Sequence, residues 1–215
     1  MARYDHNFIA LDTETGGLCN SKTGKATIDV ALTEIALVTI DNEKLEIIGQ
    51  DSWLIKPYDD NLLYDPRAAA VSGIDKALCE KEGLEIDVVY KAVLKTLKAG
   101  KVKSKKPILI MQNKGFDIPF MENLFKLFDD DLWKHISAVE DTLVWARYKY
   151  IEKPSFALGS IAEMLNIDLV NGHRALPDTI TTAKIWIKFM QLLRGEGAKA
   201  VEEVKEVRIR ETHDF

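Results

Sequence analysis

Four short stretches stand out as candidate strands against the polar background of the chain. Residues 7–13 and 107–111 are apolar runs that are too short for a helix, so they predict buried strands. Residues 33–40 and 45–55 are rich in strand-forming residues. The polar residues 41–44 between them predict a tight turn, and therefore an antiparallel hairpin.

Helical periodicity accounts for much of the remaining chain. Residues 85–99 place apolar side chains on one face and lysines on the other. Residues 61–82 predict short helical pieces broken at Pro66 and Gly73. The other predicted elements are a strand at 136–140 and helices at 118–128, 141–150, 155–165 with Ser155 as N-cap, and 174–194. This order predicts an α/β fold, a mixed five-stranded sheet with helices on both faces.

The composition is that of an ordinary globular protein. The chain has 215 residues, of which 47% are apolar and 29% are charged. We expect a single domain over residues 1–195 and a charged extension over 196–215. Since no run of about 18 apolar residues and no secretory signal stretch occurs, no membrane association is expected. The two cysteines form no disulfide framework, so a cytoplasmic location is the expectation.

The net charge of −5 restricts the classes of function. A protein that holds nucleic acid by neutralising its backbone is usually basic, so any nucleic-acid contact of this chain must be local. The acidity is itself a candidate functional property, because clustered carboxylates bind metal ions.

Two carboxylates lie at the end of the first predicted strand. Asp12 and Glu14 point to the same side, because strand side chains alternate. An Asp-x-Glu triplet is common in a chain with 34 acidic residues, and Asp41 and Glu43 form a second one in the predicted turn. Asp12 differs because it directly follows a buried apolar run, at a strand end where functional groups gather in such sheets.

Three further candidates lie where helices are predicted to begin. Asp117 follows the second apolar run, and its alternative role is that of a helix N-cap. His173 and Asp178 lie at the start of the last long helix, where an acid alternatively stabilises the helix N-terminus. Taken singly, each of these positions has an ordinary structural explanation.

The combination of four acids is the main indication of a metal-dependent catalytic site. These acids are Asp12, Glu14, Asp117 and Asp178. Two unit charges about 4 Å apart repel by about 4 kcal/mol at an effective dielectric of about 20, so convergence of the four calls for divalent cations. Two ions about 3.5–4 Å apart support displacement at phosphorus, and oxygen ligands favour Mg²⁺ or Mn²⁺. His173 beside such a site is suited to remove a proton from the attacking water.

Three stretches together resemble the exonuclease motifs of the DEDD superfamily. They are Asp-Thr-Glu-Thr-Gly-Gly at 12–17, Asn-Lys-Gly-Phe-Asp at 113–117 and His-Arg-Ala-Leu-Pro-Asp at 173–178. The histidine spacing is that of the DEDDh branch, which includes the proofreading ε subunit of DNA polymerase III, RNase T and oligoribonuclease. Further similarity extends the resemblance over roughly residues 7–194, at 34–38, 71–74, 141–147 and 155–158.

The resemblance implies an RNase H-like fold and metal-dependent 3′→5′ hydrolysis that releases nucleoside 5′-monophosphates. It also implies that the four acids hold two Mg²⁺ or Mn²⁺ ions and that His173 is the general base. The positions that match the terminal-nucleotide pocket of relatives are Thr13, Leu18, Val71, Asn113 and Phe116. Phe116 is alternatively a core residue beside the site.

Some residues depart from the family pattern. The loop between Glu14 and Glu34 is longer than usual, and its polar residues 19–25 are either a substrate contact or an idle insertion. Gln112 and Ser72 stand where many relatives have histidine, so they affect the expected substrate contacts and not the metal ligands.

Cations near the motifs are candidate phosphate contacts. Lys114, Arg147 and Arg174 lie close to the motifs in sequence. The seven lysines between Lys91 and Lys106 favour a solvated surface over a nucleic-acid track.

The expected function is that of a 3′→5′ exonuclease that acts on nucleic-acid 3′ ends, with DNA as the expected substrate, either alone or with a replication or repair partner. An exoribonuclease with the same chemistry is the alternative, because the choice between DNA and RNA depends on contacts near the terminal 2′ position. A non-catalytic nucleic-acid-binding module is a third interpretation. The complete set of five site residues argues against it.

Overall fold

One mixed sheet of five strands organises the molecule, with β1 at its centre. In the computed structural model the strands are β1 Phe8–Thr15, β2 Leu32–Asp41, β3 Glu46–Leu54, β4 Ile108–Met111 and β5 Ala138–Asp141. Their order in the sheet is β3-β2-β1-β4-β5. The first three strands form an antiparallel meander, and β4 and β5 continue the sheet in parallel with β1. The predicted fold class and strand arrangement are confirmed.

The structure describes residues 6–18, 27–150, 154–169 and 174–195. Three predictions concern residues outside these ranges: the loop contact at 19–25, the general base His173 and the extension 196–215. No helix in the described ranges is both long enough and apolar enough to cross a membrane.

Seven helices in the described ranges surround the sheet. They are α1 Pro66–Ser72, α2 Lys76–Glu82, α3 Ile86–Ala99, α4 Lys114–Lys126, α5 Thr142–Lys149, α6 Leu158–Met164 and α7 Ala175–Arg194, with short 3-10 turns at Thr27–Asp29 and Leu132–Lys134. Pro66 begins α1, since its missing N–H costs nothing in a first turn. Gly73 ends α1 in the left-handed conformation, with φ of 72°.

Two predicted helix starts were wrong. Helix α4 begins at Lys114, four residues earlier than predicted, because the carboxylate of Asp141 accepts hydrogen bonds from the backbone N–H groups of Asn113 and Lys114 at 3.0 and 3.1 Å. This cap comes from another strand, so local sequence does not reveal it. Helix α6 begins at Leu158, because Ser155 Oγ accepts from the Ala157 N–H in the preceding turn.

The sheet separates two apolar cores. Ile9 and Leu11 of β1 face a core shared with α3 and α4. Phe8 and Ala10 face a second core shared with α5, α6 and α7. Because side chains alternate along a strand, Thr13 continues the first face, and Asp12 and Glu14 continue the second. The end of β1 therefore presents polar groups to helices on both sides of the sheet.

Candidate active site

Asp12 and Glu14 lie at the carboxyl end of the central strand, as predicted. Asp12 is opposite Ala36 of β2, and Glu14 is opposite Glu34. The register shifts between Glu14 and Thr15, where the strand ends. Both carboxylates are half-buried and are on the face of the sheet that packs against α7.

Asp178 reaches the same place from the first turn of α7. One carboxylate oxygen from each of Asp12, Glu14 and Asp178 lies within 4.8 Å of the other two. Asp178 is more than 160 positions from Asp12 and Glu14 in sequence, so only the packing of α7 against the sheet brings it to them. The predicted convergence holds for this trio.

Asp117 approaches β1 from the opposite face of the sheet. Its Oδ1 accepts hydrogen bonds from the Thr13 backbone N–H at 3.0 Å and from Thr13 Oγ1 at 2.7 Å. Asp117 is buried in the first turn of α4, whose N-cap is Asn113, so the alternative role of Asp117 as an N-cap is wrong. Thr13 thereby joins α4 to the acidic end of β1.

The electrostatics of these acids favour a bound cation. Burial, together with the charges of Asp117, Glu14 and other nearby acids, raises the pKa of Asp12 well above its usual value. Burial and neighbouring acids raise the pKa of Glu14 to about 7. Burial also raises the pKa of Asp117 to about 7, against the lowering effect of the hydrogen bonds from Thr13.

The donor set fits a hard divalent cation. The three clustered acids supply only carboxylate oxygens, which Mg²⁺ and Mn²⁺ prefer. A positive ion between them removes the repulsion that raises their pKa values. The acidic cluster, defined as Asp12, Glu14 and Asp178, is therefore a site that could bind a divalent metal.

An ion pair that the sequence did not single out anchors the start of α7. Glu34 is buried in β2, and its carboxylate accepts from Arg174 Nε at 2.9 Å and from Arg174 Nη2 at 2.8 Å. It also accepts from the backbone N–H of Ala175 at 3.1 Å, one of the N-terminal donors that a helix leaves without partners. Glu34 and Arg174 thus hold the turn that presents Asp178.

A sequence signal for this pair existed. Glu34 directly precedes the apolar run 35–38 of a buried strand, and a buried carboxylate needs a partner. The sequence does not predict which residue is that partner, because Arg174 lies 140 positions away. Arg174 was a candidate phosphate contact, but its guanidinium is occupied by Glu34.

An apolar cleft opens beside the acidic cluster. It has a volume of about 790 Å³ and includes Glu14 on its lining. Four of the five residues predicted for the terminal-nucleotide pocket also line it: Thr13, Leu18, Val71 and Phe116. Leu18 is 60% exposed and Val71 is 62% exposed, so within this cleft they present apolar surface that a ligand could cover.

Gly16 lies directly beside the cleft, between the lining residues Thr15 and Gly17. A Cβ on Gly16 would lie 2.2 Å from the carbonyl oxygen of Leu63, so the close approach of these two segments excludes any larger residue. The Gly16 carbonyl accepts from the Asp65 N–H at 2.6 Å, just before α1 begins. The segment that carries Val71 is thereby held against the end of β1.

Asn113, the fifth residue predicted for the terminal-nucleotide pocket, does not line the apolar cleft. It lines a different cleft at the end of β4.

The residues at the two positions where many relatives have histidine bind other parts of this protein. The Gln112 side chain donates to the Phe156 carbonyl at 3.0 Å and accepts from Thr142 Oγ1. Ser72 makes local bonds in α1, to the Ala68 carbonyl and from the Ile74 N–H. The side chains at both histidine positions therefore make hydrogen bonds within the protein.

The fold and this site define a class of protein. Acidic groups at the end of a central strand, beside a cleft that can hold a small organic group, are typical of metal-dependent hydrolases of phosphate esters. The exonuclease family model named RNase T matches residues 9–186. The chain belongs to this exonuclease family, and its resemblance to the DEDD-type 3′→5′ exonucleases is confirmed.

Individual relatives are consistent with this membership. PolC-type DNA polymerase III of Caldanaerobacter subterraneus subsp. tengcongensis is 27% identical over 206 residues, which are 96% of this chain and 13% of that protein. The 3′-5′ exonuclease DinG of Staphylococcus aureus is 35% identical over 85 residues, which are 40% of this chain and 9% of that protein. The chain thus spans only a small part of the length of these relatives.

A solved structure confirms the fold. Exonuclease I of E. coli, in complex with a dT13 oligonucleotide, superimposes with a TM-score of 0.72 at 20% identity. The match covers 91% of this chain and 43% of the exonuclease I chain. The RNase H-like architecture expected from the sequence is therefore confirmed.

We expect the metal-dependent stability of the protein to depend on Asp178. At a hundredfold excess of free Mn²⁺ over its dissociation constant, binding to the folded state alone should add about 2.7 kcal/mol to the free energy of unfolding. Asp178→Asn should remove most of this gain and should leave the metal-free protein at least as stable as wild type, because one repelling charge is gone. Melting curves in EDTA and in excess Mn²⁺ measure both effects.

The matched control is an ordinary capping aspartate. Asp75 caps α2 by accepting from the Leu78 N–H at 2.7 Å. Asp75→Ala should cost about 1 kcal/mol in EDTA and in Mn²⁺ alike. If Asp178→Asn melts below wild type in EDTA and keeps the full Mn²⁺ gain, the metal site assigned to the acidic cluster is wrong.

We expect Glu34 and Arg174 to be energetically coupled. In a double-mutant cycle with Glu34→Gln and Arg174→Gln, the coupling energy should be about 1 kcal/mol, in the lower part of the usual range because Arg174 is 44% exposed. Denaturant unfolding of the four proteins measures this coupling. The exposed pair Lys56 and Glu85 is the control, with an expected coupling of about 0.5 kcal/mol or less. Additive effects at Glu34 and Arg174 would refute the anchoring role.

Proposed function

We propose that the chain is a divalent-metal-dependent 3′→5′ exonuclease that acts on DNA and releases nucleoside 5′-monophosphates. The observation that carries this proposal is the placement of the acidic cluster on the border of the apolar cleft. A cleft of this size accommodates a nucleoside, and its exposed apolar walls suit an unpaired base. A terminal nucleotide in the cleft would present its phosphate to the carboxylate side.

The residues of this chain have distinct roles in the proposed reaction. The acidic cluster would hold divalent cations, with Asp117 completing the ligand set from the other face of the sheet. Bound cations of this kind lower the pKa of water and stabilise negative charge on a phosphoryl group. The chain's own contribution is to bring four acids together and to orient Asp117 through its bonds to Thr13.

Two further roles rest on the family resemblance. His173 would accept the proton of the attacking water, as the general base. Leu18, Val71 and Phe116 would contact the terminal nucleoside and exclude water from one side of it. Their shared location in the cleft supports this role.

DNA is the favoured substrate because of what the relatives are. Relatives that match over nearly the whole chain are PolC-type DNA polymerases, and exonuclease I has been solved with dT13 and dA16 oligonucleotides. The PolC-type relatives likewise support a proposed role in DNA replication or repair, together with a protein partner. The cytoplasmic location in this proposal rests only on the cysteine content of the sequence. Exoribonuclease activity is the competing outcome of the experiment below.

We expect a 5′-labelled oligodeoxynucleotide to shorten as a ladder from its 3′ end in Mg²⁺ or Mn²⁺, and EDTA to stop the reaction. Matched single-stranded DNA, duplex DNA and RNA substrates, resolved on denaturing gels, establish the preference. Asp12→Asn, purified in parallel, controls for contaminating nucleases. Cuts in a circular single strand, or digestion that continues in EDTA, would contradict the proposal. Faster digestion of RNA than of DNA would reassign the substrate.

We expect His173→Ala to lower the rate of mononucleotide release by about 10²–10⁴-fold, because a general base contributes about that much. The Mn²⁺-induced rise in melting temperature should survive, since the carboxylates remain. His6→Ala is the control, because His6 lies before β1, at the opposite end of the strand from the acidic cluster, and contacts the Lys106 carbonyl. A rate for His173→Ala close to that of wild type would remove His173 from the mechanism.

A further inference from the structure

A second cleft opens at the same edge of the sheet, on the other side of the first turn of α4. It has a volume of about 640 Å³ and lies between the end of β4, helix α5 and the segment before α6. Its polar lining includes Gln112, Asn113, Arg147 and Ser155. Strands β1 and β4 are parallel neighbours, so this cleft and the acidic cluster open toward the same side.

The charge of Arg147 distinguishes this cleft. Arg147 is exposed in the last turn of α5, and within the part of the chain that the structure describes its guanidinium has no hydrogen bond and no ion pair. Arg67, in the first cleft, is paired with Asp65 at 2.7 Å, and Arg174 is paired with Glu34 at 2.8 Å. Among the described residues, Arg147 thus offers a positive charge without an ion-pair partner, in a cleft at the same end of the sheet as the acidic cluster.

Asn113 adds a fixed polar group to the same cleft. Its backbone is in the left-handed conformation, with φ of 64°, and its N–H donates to Asp141 Oδ1 at 3.0 Å. Its side-chain amide has no partner among the described residues. Its carbonyl accepts from the Phe116 N–H at 2.9 Å, so one helical turn separates the second cleft from a wall of the first.

These groups match the chemistry of a phosphodiester backbone. A guanidinium binds phosphate through two parallel hydrogen bonds, and an amide N–H donates to phosphate or sugar oxygens. A free anion would bind equally well to Arg147 alone, but a polynucleotide can occupy both clefts at once.

We propose that the second cleft binds the phosphate backbone of the single strand that continues in the 5′ direction from the terminal nucleotide. Arg147 binds a phosphate there, and Asn113 binds the adjacent backbone. This inference rests on the proposed function, because it requires the 3′ end of the same strand to lie in the first cleft. It assigns to Arg147 a role in distinguishing long substrates from short ones.

The test compares substrates of different length. Wild type and Arg147→Gln are assayed on a dinucleotide and on a single-stranded octanucleotide of the same terminal sequence. The ratio of kcat/KM for the octanucleotide to kcat/KM for the dinucleotide should fall about tenfold in Arg147→Gln, since only the longer substrate has phosphates upstream of the cleaved bond. Arg147→Lys, which keeps the charge, should recover part of that ratio.

Binding gives a second readout that does not need turnover. In an Asp12→Asn background, anisotropy of a 5′-fluorescein octanucleotide should show about tenfold weaker binding when Arg147 is replaced by Gln. The slope of log K against log salt concentration should become shallower by about 0.7, the value for one phosphate contact on a single strand. Lys95→Gln removes the same charge from an exposed position on α3, on the opposite face of the sheet, and should change neither quantity.

The outcomes separate the two proposals. Digestion by wild type, with an unchanged length ratio and salt slope in Arg147→Gln, would overturn the role of the second cleft and leave the exonuclease function intact. An equal effect of Lys95→Gln would also overturn it, because the effect would then be that of overall charge. If wild type releases no mononucleotides from any substrate, the exonuclease proposal fails, and the inference about the second cleft fails with it.

Discussion

The repulsion among carboxylates at the end of β1 is the constraint on which the rest of the structure depends. Oxygens of Asp12, Glu14 and Asp178 lie within 4.8 Å of one another, and Asp117 raises the pKa of Asp12 further. The fold compensates in part. Asp117 and Asp178 occupy first helical turns, where the helix dipole favours negative charge. The negative charge that remains uncompensated attracts divalent cations, and the proposed chemistry uses this attraction.

The sheet allows acids to approach one strand end from two sides. Alternation along β1 sends Asp12 and Glu14 toward α7 and Thr13 toward α4. Helix α7 supplies Asp178, and Glu34 with Arg174 anchors its first turn. The same edge opens into two clefts with different linings. One has exposed apolar walls, and the other has an arginine without an ion-pair partner in the part of the chain that the structure describes. Such a division suits a polymer that has an apolar base and a charged backbone.

Local features of the chain predicted the elements and the motifs well. The apolar runs before Asp12 and before Gln112 are strands, and the hairpin turn predicted at 41–44 lies at 42–45. Two outcomes that the sequence did not predict have a common cause. The early start of α4 depends on Asp141, and the role of Gln112 depends on Phe156 and Thr142. In each case a hydrogen bond from a distant segment decided a local conformation.

The sequence by itself determined which residues can do chemistry and which stretches become strands or helices, because residue type and periodicity are local properties. The tertiary structure alone decided which acids meet and what compensates their charges. Thr13 and Asp117 are 104 positions apart, and Glu34 and Arg174 are 140 apart. Contacts over such distances form only when helices dock on the sheet, since burial of the two apolar cores positions each helix against it.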